Sequence, residues 1–406
     1  MRILLINQSF YPDVIAVAQY ATGLTVGLAE RGHEVTVLTG NHAYDDPGVI
    51  YPKSDEHRRV QITRIPYSRL GRKDRTSRLF DLLSFHLSLA LRLCFTPKQD
   101  IVVGMTLPPF MAFWSALFCR LKGGKHIYWV MDMNPDEAFA AGWLSEKSMI
   151  GKILFHLERW IFKQSVKIVA LDRFMKDRII NRCDIEESKI SVIAPWAHDE
   201  FIHPVDHAEN SFRKKHGLGD KFVVMYSGNH SVCHPLETLL KAALHCRSDK
   251  QIIFCSVGGG VRTKEVERFK KENALENILQ LPYEPLERLA ESLSAADLHI
   301  TTMGNDYVGI VHPCKVYGIL SVGRPFVLIG PRQSDMGEWM EQTGLGEQIE
   351  HGDVPGLVHA IEKVRRFGAS EKETLSEKSI HLKNSRFGLA RLEEFIKMIE
   401  DQTCKS

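Results

Sequence analysis

The chain has 406 residues, 44% hydrophobic and 25% charged, with 52 basic and 50 acidic side chains for a formal net charge of +2. That is the make-up of a folded globular protein of about two or three domains. The charge balance argues against nucleic acid or a strongly acidic partner, and the eight cysteines include no C-x-x-C pair of the kind that marks a zinc site.

The N-terminus, MRILLINQSF, carries one basic residue and a short apolar run, so it reads as a first strand and not as a signal peptide. No run reaches the roughly 18 apolar residues of a membrane span. Most cysteines lie in apolar segments and read as reduced core thiols, which points to the cytoplasm.

Ile3–Ile6 is a buried-strand run, followed by the loop NQSFYPD, a helix from about Val14 to Arg31 stopped by Gly32, and an alternating strand from Glu34 to Leu38. This is a βαβ unit. A dinucleotide fold would place G-x-G-x-x-G at its first turn, and no glycine occurs there before Gly23, which disfavours a nicotinamide or flavin dehydrogenase. A strand at Gln61–Ile65 leads into SRLGRKDRTSR, where Arg69, Arg72, Lys73, Arg75 and Arg78 cluster ahead of an apolar helix, Leu79–Phe95. A second apolar helix starts in FMAFWSALFCRL. The pair can cover one face of a sheet, or can dock on an anionic bilayer as a peripheral contact with the inner membrane.

The strand Lys125–Val130 runs into MDMNPDEAFAAGW. Asp136 and Glu137 follow Pro135 and read as helix-capping acids, whereas Asp132 is the candidate catalytic group. An amphipathic helix spans Ser148 to Lys163, and strands follow at 167–171 and 190–194. The segment APWAHDEFIHPVDHAENS reads as the linker between halves, and its His198, His203 and His207 fit no metal-ligand spacing.

The second half begins a fresh α/β set at Phe222–Tyr226, whose strand ends in Gly228-Asn229 with His234 shortly after. Glycine at such a turn lets a backbone N–H approach a phosphate. Ile252–Val257 ends in three glycines, Gly258 to Gly260, and Ile278–Leu281 runs into PYEP with Tyr283. Plain turn geometry explains such glycines equally well. The stretch GIVHPCKVYGILSVGRPF, from Gly309 to Phe326, then reads as a loop and a short helix from Cys314 to Val322, with Pro313 at the first helical position and Gly323 as the stop. In a parallel sheet this helix start lies where anions bind, and Lys315 in its first turn opposes the dipole unless an anion sits between. The competing reading is a solvated surface lysine. A last helix, 387–398, carries Leu389, Leu392, Phe395 and Ile396 on one face and needs a groove to bury it.

The segments RILLINQSFYPD, LAERGHEVTVLTG, YWVMDMNPDEA, VVMYSGNHSVCHPLETLLKA, LSAADLHI and HPCKVYGILSVGRPF together resemble a family 4 glycosyltransferase of GT-B architecture, in the bacterial surface-polysaccharide branch of colanic acid and O-antigen type. The resemblance implies an α/β protein of two Rossmann-like doubly wound domains facing across a cleft. The acceptor domain would be 1–200 with helix 385–402 packed back on it, and the nucleotide-sugar domain 201–384. It implies transfer of a sugar from a nucleoside diphosphate sugar to a glycan acceptor, lipid-linked in that branch, with retention of configuration. Donor-binding residues would be Gly228, Asn229, His234, Tyr283, Gly309, His312, Pro313, Cys314 and Lys315, with the P-x-K-x-Y pattern pointing to Lys315 for the diphosphate. No cofactor is implied, and the chain has no D-x-D to hold a metal. The family's two donor glutamates fall here on Ile310 and Gly318, its phosphate-binding Arg and Lys near Asn229 and His234, and its catalytic histidine on Met131 beside Asp132. Those losses leave open a sugar-nucleotide epimerase of the same fold, or a catalytically silent sugar-binding subunit.

Overall fold

The computed structural model describes residues 1–44, 46, 48–70, 75–197 and 202–402. Arg72, Lys73, His198 and Cys404 therefore lie outside the described residues. The chain forms two compact units, one from Met1–Pro195 joined by the segment that starts at Ala390, the other from Trp196–Leu389.

The first unit holds an eight-stranded sheet of β1 (Arg2–Ile6), β2 (Glu34–Gly40), β3 (Ser54–His57), β4 (Val60–Ile65), β5 (Ile101–Gly104), β6 (Lys125–Trp129), β7 (Lys167–Ala170) and β8 (Ile190–Val192). Its order is β3-β4-β2-β1-β5-β6-β7-β8. All pairs are parallel except β3 with β4. Ile3, Leu4, Leu5 and Ile6 are all buried, as expected of a strand covered by helices on both faces. The polar strand β3, Ser-Asp-Glu-His, escapes a hydrophobicity reading because it is an exposed edge.

The second unit has six parallel strands, β9 (Phe222–Ser227), β10 (Ile252–Val257), β11 (Ile278–Leu281), β12 (Leu298–Thr302), β13 (Phe326–Ile329) and β14 (Glu347–Ile349). Their order is β11-β10-β9-β12-β13-β14, so the winding reverses between β9 and β12. Along β9 the side chains alternate: Phe222, Val224 and Tyr226 enter one apolar cluster, Val223 and Met225 the other. A crevice opens beyond the carboxyl ends of strands at such a reversal, and ligands of open α/β sheets bind there.

The Ala390–Glu400 helix belongs to the first unit and buries Phe395, Ile396 and Ile399. Phe395 meets Trp129 edge-on at 4.7 Å. A Cβ on Gly27 would stand 2.7 Å from Ile396 Cδ1, so the glycine makes room for this helix. Arg31 bonds Glu393 and Glu400, and His33 lies 3.0 Å from Glu400. Leu389, expected on the buried face, instead precedes the helix and is exposed, because the helix starts later than its sequence pattern indicates.

Two further expectations change. Asp136 does not cap its helix: its carboxylate is fully buried, with Arg178 Nε at 2.7 Å and Arg182 Nε at 3.0 Å. Cys94 is exposed, whereas Cys119, Cys183, Cys233, Cys246 and Cys255 are buried thiols. Among the described residues, no helix is long and apolar enough to cross a membrane.

Candidate donor site and its relatives

The Lys315–Val322 helix follows β12 and starts beside the point where the sheet's winding reverses. Its bounds differ from expectation. Cys314 is the N-cap, so Pro313 precedes the helix and does not open it. The Cys314 N–H donates to the His312 carbonyl at 2.9 Å and is spent. Lys315, as first helical residue, has no intrahelical acceptor for its N–H. Gly323 ends the helix at φ 63°, the left-handed conformation that glycine takes cheaply.

Lys315 reaches from this helix to β9. Its Nζ donates to Tyr226 Oη at 2.9 Å and lies 4.7 Å from the centre of the Tyr226 ring. Tyr226 in turn donates to the Asn229 carbonyl at 2.8 Å. The lysine stem passes directly over Gly228: a Cβ there would stand 2.9 Å from Lys315 Cε. Part of the side chain stays open to solvent, yet burial pushes the Lys315 ammonium down to about 8. Among the described residues no carboxylate acts on it, only the thiols of Cys233 and Cys314. A cation held in a packed setting without a counter-ion marks a place for an anion.

The loop beside Lys315 is a lattice of backbone contacts. The Gly228 N–H donates to Val257 O at 2.9 Å, so it is not offered to a ligand. Gly228, Gly258 and Gly260 have φ of 129°, 127° and 141°. A Cβ on Gly258 would fall 2.2 Å from Gly228 O, and one on Gly260 2.6 Å from His230 O. The three glycines therefore let the β9 and β10 loops touch. Tyr283 lays its ring on Gly258 and Gly259 and donates to Gly259 O at 3.2 Å. Asn229 is exposed.

His230 and His234 are both neutral at pH 7. Burial first, then the Lys315 charge, pushes His230 down to about 4 and His234 well below its usual range. His230 Nε2 is 2.6 Å from Ser256 Oγ. His234 Nδ1 is 2.6 Å from the Thr302 carbonyl. A carbonyl accepts only, so Nδ1 carries the proton and Nε2 is left as an acceptor. Such a nitrogen can receive a hydroxyl but would repel a phosphate oxygen. His312 lies on the loop before the helix, 2.5 Å from Tyr317 Oη, and Gly309 turns that loop at φ 70°.

The structure thus joins Gly228, Asn229, Tyr283 and Lys315 in one cluster and places His234 at the end of β12. Gly309, His312, Pro313 and Cys314 form the loop leading to the helix. The sequence reading missed Tyr226, His230, Ser256 and Arg262. Arg262 bonds the Val232 carbonyl at 3.1 Å and so fixes the loop. A hydroxylated aromatic at the carboxyl end of an apolar strand was the available signal for Tyr226.

In the first unit, Asp132 is half-buried just past β6. Asn7 follows β1 and Thr106 follows β5, both buried, and Asn7 Oδ1 and Thr106 Oγ1 have no hydrogen-bond partner among the described residues. Among the described residues, no group of three His, Cys, Asp or Glu is arranged to hold a metal.

Two doubly wound units, each open at the carboxyl ends of its parallel strands, define a GT-B protein. Residues 17–201 match the family model described as Glycosyltransferase Family 4. The chain is 25% identical over 374 residues to WcaI of Escherichia coli (strain K12), named as a colanic acid biosynthesis glycosyl transferase, covering 89% of this chain and 91% of that one. It is 21% identical over 332 residues to the glycosyltransferase WbjE of Pseudomonas aeruginosa, covering 81% of each. Anabaena Alr3699/HepE, solved with UDP and glucose, shares the fold with a TM-score of 0.72 at 14% identity, covering 99% of this chain and 100% of that one. The chain is a glycosyltransferase, and its residues 17–201 are similar to glycosyltransferase family 4.

Proposed function

We propose that the second unit holds a nucleoside diphosphate sugar and the first a glycan acceptor, lipid-linked, in the assembly of a cell-surface polysaccharide. The observation that carries this reading is the Lys315 ammonium, packed at the reversal of the second sheet with no carboxylate partner among the described residues. The fold neighbour HepE was solved with UDP and glucose, which supports a nucleotide sugar here. The relative WcaI, named for colanic acid biosynthesis, supports a polysaccharide product.

Breaking the bond from sugar to diphosphate builds negative charge on the leaving group. Lys315 Nζ and the Lys315 N–H are placed to stabilise it, as preorganised donors do. Asn229 is exposed beside them and can add a side-chain amide. No metal is needed for charge balance in this reading, because a lysine performs the neutralisation. With the family's glutamates replaced by Ile310 and Gly318, His234 Nε2 takes over as an acceptor for a donor hydroxyl. A Cβ at Gly318 would meet Leu293 Cδ1 at 2.9 Å, so the room a glutamate needs is filled by apolar side chains. In the first unit Asp132 orients or deprotonates the acceptor hydroxyl, with Asn7 and Thr106 as polar neighbours of the acceptor. Retention of configuration follows from the family alone.

The test is incubation of the purified protein with UDP-, GDP-, ADP- and dTDP-sugars, with and without lipid-linked acceptor. Sugar transfer supports the proposal. Conversion of a sugar nucleotide without acceptor would favour an epimerase, and binding without turnover a silent subunit.

A further inference from the structure

We infer that the first two turns of the Met149–Gln164 helix, with the loop before them, hold the lipid phosphate of the acceptor: an apolar chain along the helix and its phosphate in the adjoining basic cavity. The inference rests on the acceptor reading of the first unit proposed above. Ile150, Ile153, Leu157 and Trp160 recur at three- and four-residue spacing, the pattern of one helix face that needs cover. Only the later part is covered. Trp160 meets Phe113 at 5.4 Å and Gln164 accepts from Arg120 at 3.1 Å, both from the Ala112–Lys122 helix. Phe113 is the second residue of that helix, and Ile150 lies about 15 Å ahead of Trp160 along its own. The Met149–Gln164 helix therefore runs past the start of its neighbour, and Met149, Ile150 and Ile153 are 78%, 61% and 57% exposed. Trp143, on the loop just before, is 59% exposed. Isolated exposed side chains need no explanation, whereas a bare stretch of a helix face marks a binding surface.

The place suits an acceptor. The helix begins beyond the carboxyl end of β6 and Asp132 and runs back toward the start of β7, so its first turns stand at the edge of the sheet where Asp132 lies. Beside the bare stretch a cavity of about 610 Å³ is lined by Ser145, Glu146, Lys147, Lys152, Phe155 and His156, within the size range of ligand sites. Its walls are fixed. Ser148 Oγ donates to Ser145 O at 2.6 Å and accepts from the Gly151 N–H at 3.0 Å. A Cβ on Gly151 would fall 2.3 Å from Ser145 O, so glycine lets the loop lie on the first turn. Arg182, anchored on buried Asp136, bonds Glu146 at 2.9 Å and lies 5.1 Å from the centre of the Phe155 ring.

Charge selects the occupant. Arg182 neutralises Glu146, whereas exposed Lys147 and Lys152 form no ion pair among the described residues. Lys152 and His156, one turn apart, are helix-surface neighbours of Met149 and Ile153. An apolar strip bordered by two unpaired ammonium groups matches an apolar chain that ends in a phosphate or diphosphate. A second copy docked symmetrically would bring these like charges together.

The experiment is titration of the full chain with farnesyl diphosphate below its critical micelle concentration, with farnesol and with inorganic pyrophosphate, in saturating UDP so that the donor site is occupied. Farnesyl diphosphate should bind at least about tenfold more tightly than either part alone. Lys147→Ala/Lys152→Ala and Ile150→Ser/Ile153→Ser should each weaken it by about tenfold or more. Their melting temperatures and stabilisation by UDP should match the wild type. Absence of binding, equal affinity for the three probes, or unchanged affinity in either double variant would overturn the inference. So would a dimer or vesicle binding that Ile150→Ser/Ile153→Ser abolishes while farnesyl diphosphate does not bind. Binding is read without turnover, so an inactive protein that binds farnesyl diphosphate here still supports the inference, and an active one that does not overturns it alone.

Discussion

Replacing Lys315 by methionine should stabilise the free protein while weakening its hold on nucleotide, a combination that no surface lysine would give. The ammonium is pushed from 10.5 to about 8 by burial. At about 1.4 kcal/mol per unit, holding that charge costs roughly 3 kcal/mol at pH 7. Methionine removes this cost and keeps the packing over Gly228, but forfeits the hydrogen bond to Tyr226, worth about 1 kcal/mol. The net gain is about 1–3 kcal/mol without ligand. A group whose folded pKa lies below its unfolded value penalises folding fully below the folded pKa, and the penalty fades as pH rises toward the unfolded one. The gain should therefore be full at pH 7 and vanish by about pH 10. In the complex the balance inverts. A charge-assisted contact to a diphosphate oxygen contributes about 2–4 kcal/mol, so nucleoside diphosphate binding should fall by roughly 30- to 1000-fold. Thermal melting with and without UDP, together with titration calorimetry, reads both quantities. A variant that melts below the wild type and binds nucleotide as well would refute the reasoning.

Further outcomes follow from other residues. Nucleotide affinity of the wild type should weaken by up to about tenfold per pH unit above about pH 8, because a deprotonated Lys315 must take up a proton to bind an anion; Lys315→Arg should flatten the profile. Gly258→Ala places a methyl 2.2 Å from Gly228 O at φ 127° and should cost about 1–3 kcal/mol in a denaturant melt and abolish stabilisation by nucleotide. Glu158 is buried beside Asp136, and burial raises its pKa well above the usual range. The unfolded chain releases this proton near pH 4 and the folded one does not. Glu158→Gln should thus raise the melting temperature at pH 7, with the gain shrinking as pH falls toward 4. Deleting the chain from Ala390 onward uncovers Trp129 and removes Phe395, Ile396 and Ile399 from their groove, and should destabilise the first unit by about 5 kcal/mol or more.

The sequence carried the order of elements because the strands of both sheets, β3 apart, pair in parallel, and buried parallel strands are apolar runs that stand out between amphipathic helices. It failed where burial is partial. β3 (Ser-Asp-Glu-His) and the three-residue β14 carry too little apolar pattern to announce themselves. Lys315 stood out as a candidate from its place after a loop and a proline, but its partner did not. Tyr226 lies 89 residues earlier, and only the fold brings its hydroxyl to the ammonium. Asp136 was misread for the same reason. Local sequence offers it a helix to cap, whereas Arg178 and Arg182 arrive from a helix more than 40 residues on. Helix starts were the least legible boundaries: Pro313 satisfies the usual rule for a first helical residue, yet the N-cap is Cys314 and the helix begins at Lys315.

The most direct measurement is a structure of the protein with a nucleoside diphosphate. The account predicts diphosphate oxygens within hydrogen-bond distance of Lys315 Nζ, next to Gly228 and Asn229. A diphosphate held elsewhere, with Lys315 still bonded only to Tyr226, would contradict it.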